Sequence, residues 1–304
     1  MIGPADETLR PTTGAGFSDG VEVAFGDAES DIFVTARIGV IPGDGGAATA
    51  GPATATALVV VFADRAAVEI QAQSGVEVAE PDWAGIEVSG LRFETLEPLT
   101  SWRAVFSGER GGFDVVLDAV SPPCEAGAGS EVARGGGLQG YEQLCRVTGT
   151  ATVDGRTRDI ACLGQRGHSW GVADWTKIES ARSIGAWLDD AHAVALSAVR
   201  PAGAASHADE AVTAWLIADV EDRATVLELD DPRLSTGYDA EGRQRRATLE
   251  LWESEDSEIP HRASGQLLCG TSLDLGTLRM DCAFFAWRMQ GRAGVGRYDM
   301  IRRT

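Results

Sequence analysis

Lysine is nearly missing from this chain. Lys177 is the single lysine among 26 basic residues, which face 46 acidic ones for a net charge of −20. A balance so acidic excludes grip on a nucleic-acid backbone, which needs clustered Lys and Arg, and disfavours docking on an anionic membrane. Schiff-base chemistry has one candidate and little support. No run approaches the roughly 20 apolar residues of a membrane span. The opening Met1–Glu7 lacks the basic and then apolar regions of a secretory signal. The five cysteines (Cys124, Cys145, Cys162, Cys269, Cys282) form no close-spaced pair, and the four histidines show no zinc-like spacing. Neither a metal nor a cofactor is expected, and reduced, mostly buried thiols fit a cytoplasmic protein.

What fills the chain is strand signal. Val21–Phe25 and Asp31–Val40 are strand-like, and Thr56–Phe62 is apolar on both faces and β-branched, as a fully buried strand would be. Gly43–Gly46 lies in a loop, Asp154-Gly155 is a type I′ hairpin turn, and Asp64-Arg65 is a weaker turn. The Gly-rich stretch 124–139 reads as a surface loop, with no helix after its glycines to make a phosphate cradle. Strands resume at 183–188, 193–197, 211–220, 224–229, 246–253, 265–270 and 278–289, with a turn at Asp189-Asp190. Many short strands with regular turn signals make an all-β barrel or sandwich. A break near residue 177 divides it into two β domains, 1–176 and 177–304, without visible sequence repetition.

One stretch concentrates functional residue types: Gly164-Gln165-Arg166-Gly167-His168-Ser169-Trp170-Gly171-Val172-Ala173-Asp174-Trp175. On a continuous strand Arg166, His168 and Trp170 share a face. They could clamp an apolar ligand with a polar handle, or pin two sheets together as core. On the preceding strand Tyr141, Gln143, Cys145, Val147, Gly149, Ala151 and Val153 form the inward face, with Glu142, Leu144, Arg146 and three threonines outward. Gln143 is thus a polar group on an apolar face, either satisfied within a core or orienting a ligand oxygen. The stripe Ala283, Phe285, Trp287, Met289 reads as core.

The run Tyr141-Glu142-Gln143, Val147-Thr148-Gly149-Thr150, Asp154-Gly155-Arg156 and Gly164–Gly171 resembles the carotenoid hydratase-like lipocalin superfamily. Leu91-Arg92-Phe93 to Glu97-Pro98-Leu99, Trp102-Arg103 and the ending Gly291–Tyr298 resemble it too. The resemblance implies two tandem lipocalin-like antiparallel β-barrels and chemistry on hydrophobic polyenes, terpenoids or polyketides without a redox cofactor. Its His and Trp fall on His168 and Trp170, its arginine on Arg166. Gly167 stands where the family typically has Asp. The Tyr and Asp that the hydratase branch carries some two dozen residues after the histidine have no counterpart in Ala193–Ser197; Asp174, Asp189 and Asp190 are the nearby carboxyls.

Three functions fit. In the first, a cofactor-independent cyclase or isomerase folds a terpenoid or polyketide-type substrate. His168 is then acid or base, Arg166 or Gln143 polarises a carbonyl, and Trp170, Trp187 and Tyr141 contact the ligand. The second is a non-catalytic carrier of a lipophilic small molecule, and the third a hydratase or dehydratase. Under the enzyme reading, His168→Ala abolishes turnover and leaves the thermal midpoint nearly unchanged.

Overall fold

The computed structural model describes residues 1–10, 16–41, 52–78, 82–206, 209–221, 223–254 and 256–304. The Gly43–Gly46 loop and His207 lie outside the described residues. The described chain is almost entirely β and divides into two compact units, Met1–Ala119 with Leu138–Ala173, and Val120–Gly137 with Asp174–Thr304. Each unit is built on one antiparallel, barrel-like sheet.

The first unit begins with a 3-10 turn, Pro4–Glu7, and continues through β1 (Ser18–Asp27), β2 (Ile32–Ile41), β3 (Ala53–Ala63), β4 (Ala66–Val78), β5 (Glu87–Val88), β6 (Leu91–Glu97), β7 (Ser101–Ser107) and β8 (Gly111–Ala119). After β9 (Cys124–Ala126), which belongs to the second unit, it resumes with β10 (Leu138–Val153) and β11 (Arg156–Gly171). Its sheet runs β4-β3-β2-β1-β11-β10-β8-β7-β6-β5. Asp154 and Gly155 both have positive φ (47° and 76°), so the β10–β11 hairpin closes through a type I′ turn with Val153 facing Arg156. Asp64 and Arg65 (φ 49° and 62°) make the same kind of turn between β3 and β4. Alternation then carries Val23, Phe25, Val34, Val59, Val61, Leu117 and Val147 into one apolar core. Leu144, on the face expected to meet solvent, is buried, and Gly149, on the expected inner face, is exposed.

The second unit holds β12 (Ile178–Asp189), β13 (His192–Pro201), β14 (Ala211–Val220), β15 (Arg223–Glu228), β16 (Arg233–Tyr238), β17 (Gln244–Leu251), β18 (His261–Asp274), β19 (Leu278–Met289) and β20 (Arg292–Arg303). They follow the order β15-β14-β13-β12-β20-β19-β18-β17-β16. Ala283, Phe285, Trp287 and Met289 enter its core together, as their alternation requires.

Residues 124–139 are not a loop. They hold β9, the helix α1 (Glu131–Gly136) and the first residues of β10. The Ser130 hydroxyl accepts from the Ala133 N–H at 3.2 Å, and Gly137 ends the helix in a left-handed conformation (φ 73°). Six residues are too few to display a helical stripe, so composition dominated the expectation. Val132 packs with Ile178 and Val199, which places 120–137 in the second unit rather than before a boundary at 176/177.

Candidate functional site

β11 carries Arg166, His168 and Trp170 on one face, all buried, between β1 and β10. Cross-strand register sets Asp19, Val21 and Val23 of β1 opposite Trp170, His168 and Arg166. On the other side Tyr141 and Gln143 of β10 stand opposite His168 and Arg166. Two polar assemblies result.

In the first, the His168 Nε2 lies 2.5 Å from Asp19 Oδ1, and both side chains are wholly buried. The other Asp19 oxygen accepts the Arg10 backbone N–H at 2.7 Å, which fixes the carboxylate. The imidazole sits among three rings in edge-to-face contact, Trp170 at 5.1 Å, Trp83 at 5.7 Å and Tyr141 at 6.2 Å between centroids. Its Nδ1 has no hydrogen-bond partner among the described residues. The Arg10 guanidinium covers the Trp170 ring at 3.5 Å and pairs with Asp6 at 2.6 Å. The Gly3 N–H and then Arg10 hold the Asp6 carboxyl below its usual range.

In the second, Arg166 donates twice to Gln143 Oε1, from Nε at 3.0 Å and Nη2 at 2.7 Å. Its Nη1 is 3.2 Å from Glu7 Oε1, and its Cζ lies over the Trp102 ring, 4.7 Å from the centroid. Glu7 also accepts the Tyr141 hydroxyl and the Leu99 N–H, both at 2.7 Å, while Gln143 Nε2 donates to the Leu99 carbonyl at 3.1 Å. Burial, reinforced by the Glu7 charge, pushes the Tyr141 hydroxyl far above its ordinary range, so it remains a neutral donor. Burial likewise pushes the Cys145 thiol up to about 12.

The structure brings Arg166, His168, Trp170, Tyr141 and Gln143 together in this one region. Trp187 does not join them. It belongs to β12 of the second unit, leaves that sheet on the face opposite Ile184, Ala186 and Leu188, and meets the Phe284 ring at 6.3 Å. Arg166 and Gln143 hold one another, so as they stand they brace the site rather than polarise a ligand carbonyl. Asp174 is exposed and is kept ionised by hydrogen bonds from the Thr176 hydroxyl and then Lys177. Asp189 is likewise tied up, with His192 and Arg292. Neither is a protonated acid.

Gly167 leaves β11 on the face opposite His168, between Glu22 and Glu142 on the neighbouring strands. A Cβ there would meet the Tyr141 carbonyl at 3.1 Å. An aspartate at 167 would therefore not face the imidazole, and its replacement by glycine leaves the dyad intact.

Sequence reasoning missed the carboxylates. Extending the alternation of Val21, Val23 and Phe25 back by one step reaches Asp19, a signal that was present. Glu7, Arg10 and Trp83 lie outside regular strands and gave none. Among the described residues no group of three or more His, Cys, Asp and Glu could hold a metal, and no helix is long and apolar enough to cross a membrane.

A family profile described as a domain of unknown function, DUF7064, matches residues 3–303. No curated protein matches the sequence. Solved structures share the fold across nearly the whole chain. A Nitrosomonas europaea protein provisionally identified as AttH aligns with TM-score 0.65 at 15% identity, over 93% of this chain and 91% of its own. Kievitone hydratase from Nectria haematococca gives 0.60 at 12%, over 94% and 89%. CghA with Sch210972 gives 0.59 at 12%, over 95% and 88%.

Proposed function

The chain belongs to the DUF7064 family, and from the buried dyad of its first unit we propose that it is a cofactor-independent isomerase or cyclase of an unsaturated, hydrophobic small molecule, of terpenoid or polyketide type. The observation that carries this reading is the His168 Nδ1. It is the one unpartnered nitrogen of an imidazole whose other nitrogen is bonded to a buried carboxylate, and three aromatic rings surround it. Asp19 fixes the tautomer with hydrogen on Nε2, which leaves a lone pair on Nδ1. That nitrogen takes a proton from a C–H of the bound molecule, and Asp19 stabilises the resulting imidazolium. Returning the proton at another carbon moves a double bond or completes a ring closure. The sequence is redox-neutral and regenerates His168, so it calls for no cofactor. The rings of Trp83, Trp170 and Tyr141 offer apolar surface to the substrate and π-faces to developing positive charge.

Hydration is the second reading, favoured by the fold shared with a protein named a hydratase. The same dyad would then give a proton to an alkene and water would supply the oxygen. The test is mass spectrometry of a lipophilic extract from producing cells, incubated in deuterated water with the wild-type protein or with Asp19→Asn. A product of unchanged composition carrying one deuterium, absent with the variant, is the expected result. A product heavier by one water selects hydration. A ligand bound and returned unaltered would make the protein a carrier and overturn the enzyme reading.

A further inference from the structure

Two indole nitrogens, which can only donate, lie in this region buried and without hydrogen-bonded partners among the described residues: Trp83 Nε1 and Trp102 Nε1. Their residues are 6% and 2% exposed. Trp83 touches the His168 ring and Trp102 stacks on Arg166, two residues from His168 on the same face of β11. Folded proteins leave few buried donors unmatched, because each costs about 1–3 kcal/mol. A pure hydrocarbon offers nothing to any of them.

The charges narrow the ligand further. Arg166 faces Glu7, Arg10 faces Asp6, and His168 faces Asp19, so each cationic group already has its carboxylate. Nothing is left over to neutralise a carboxylate or phosphate, and the chain as a whole carries −20. Donors without spare positive charge suit an uncharged acceptor.

Resting on the isomerase reading above, we infer that the substrate carries a neutral carbonyl oxygen conjugated with its unsaturated chain. That oxygen is held by the indole N–H groups of Trp83 and Trp102. The chemistry agrees with this placement. An unactivated allylic C–H is far too weak an acid for imidazole, whereas a γ C–H of an enone yields a dienolate whose charge rests on the oxygen. In the step, the C–H bond breaks and its proton goes to His168 Nδ1. The electron pair moves through the conjugated system onto the oxygen, where the indole N–H groups stabilise the charge. The proton returns at the α carbon and the carbonyl reforms, with the double bond moved.

The test is isothermal titration calorimetry with two conjugated ketones, β-ionone and pseudoionone, each against the hydrocarbon in which a methylene replaces the carbonyl oxygen. The expected result is that each ketone binds about tenfold more tightly than its hydrocarbon, the scale of one to two hydrogen bonds. That ratio falls toward one in Trp83→Phe and Trp102→Phe, which keep an aromatic ring and lose the donor. Should one variant fail to fold, the other carries the comparison. Equal binding of ketone and hydrocarbon to the wild type, or a ratio unchanged in the variants, overturns the carbonyl assignment and leaves the isomerase reading standing. Failure of every probe to bind overturns the lipophilic-substrate reading itself.

Discussion

Traced outward from β1 and from β12, the two sheets show the same order of neighbours: β2, β3 and β4 on one side of β1, β13, β14 and β15 on one side of β12, and the unit's last strand on the other. β11 and β20 are therefore equivalent strands, and they are used differently. β11 turns Arg166, His168 and Trp170 inward, where distant carboxylates meet them. β20 turns Tyr298 and Met300 into an apolar core with Phe285 and Trp287, and the Tyr298 hydroxyl is satisfied by Thr236 at 2.7 Å. The second unit also buries an ion pair, Arg182 with Glu210. Burial of charge alone does not mark the site. What distinguishes the first unit is a wholly buried imidazole with one nitrogen bonded to a buried carboxylate and the other without a hydrogen-bond partner among the described residues.

The largest difference between the two units is expected in turnover. Asp19→Asn and His168→Gln are expected to reduce it by 10² to 10⁴-fold, the usual weight of a general acid–base group, while Tyr298→Phe in the second unit leaves it unchanged within twofold. A substrate-consumption assay on the three variants decides this, and equal losses would erase the distinction between the barrels. The burial of His168 also alters an expectation from sequence. His168→Ala strands Asp19 in the core, so it is expected to lower stability by about 3–5 kcal/mol as well as abolish activity, and cannot separate the two roles.

On stability the units should instead behave alike. Arg166→Ala and Arg182→Ala each leave a buried carboxylate without its cation, and each is expected to cost about 3–5 kcal/mol in urea unfolding. Replacing both partners, as in Arg166→Met with Glu7→Gln, should recover most of that loss.

Alkaline pH is expected to destabilise both units. Burial raises both Tyr141, which the Glu7 charge lifts further, and Tyr298, which reaches about 12. Each stays protonated in the fold after its unfolded counterpart ionises near pH 10. Their stabilisation is complete below about pH 10 and lost as pH rises beyond it, by about 1.4 kcal/mol per pH unit for each group. The Tyr298 loss ends near pH 12, whereas that of Tyr141 continues. Between pH 9 and 11.5 stability in urea unfolding should fall less steeply in Tyr141→Phe than in wild type, by about 1.4 kcal/mol per pH unit above pH 10, while Tyr298, Cys145, Cys162 and Cys282 carry the rest of the slope. The smallest effect concerns the thiols. Cys145 of the first unit, at about 12, and Cys282 of the second, raised well above its ordinary value, are both held there by burial. Neither should react with a thiol reagent at pH 8 until denaturant is added.

How much of this was legible follows from the range of the interactions. Strand alternation fixed the inward face of β10 and β11 and so grouped Tyr141, Gln143, Arg166 and His168, because register within a hairpin is local. The partners of that group come from far away. Asp19 is 149 residues from His168, and Glu7 is 134 from Tyr141. Alternation gives the face of a strand and says nothing of which distant segment will lie beside it. Trp187 lies in the stretch that the sequence assigns to the second domain, 177–304, and it belongs to the sheet of the second unit.

The position between Arg166 and His168 carries a lesson about how such motifs drift. Because Gly167 departs from the opposite side of β11, substitutions there and at 168 meet different neighbours, although the codons adjoin. On the proposed reading, a change at 167 leaves the His168–Asp19 contact untouched, and a change at 168 leaves the neighbours of 167 untouched. Homologue searches that score the motif as one word would misjudge both, whereas reading alternate letters would separate descent from chemistry.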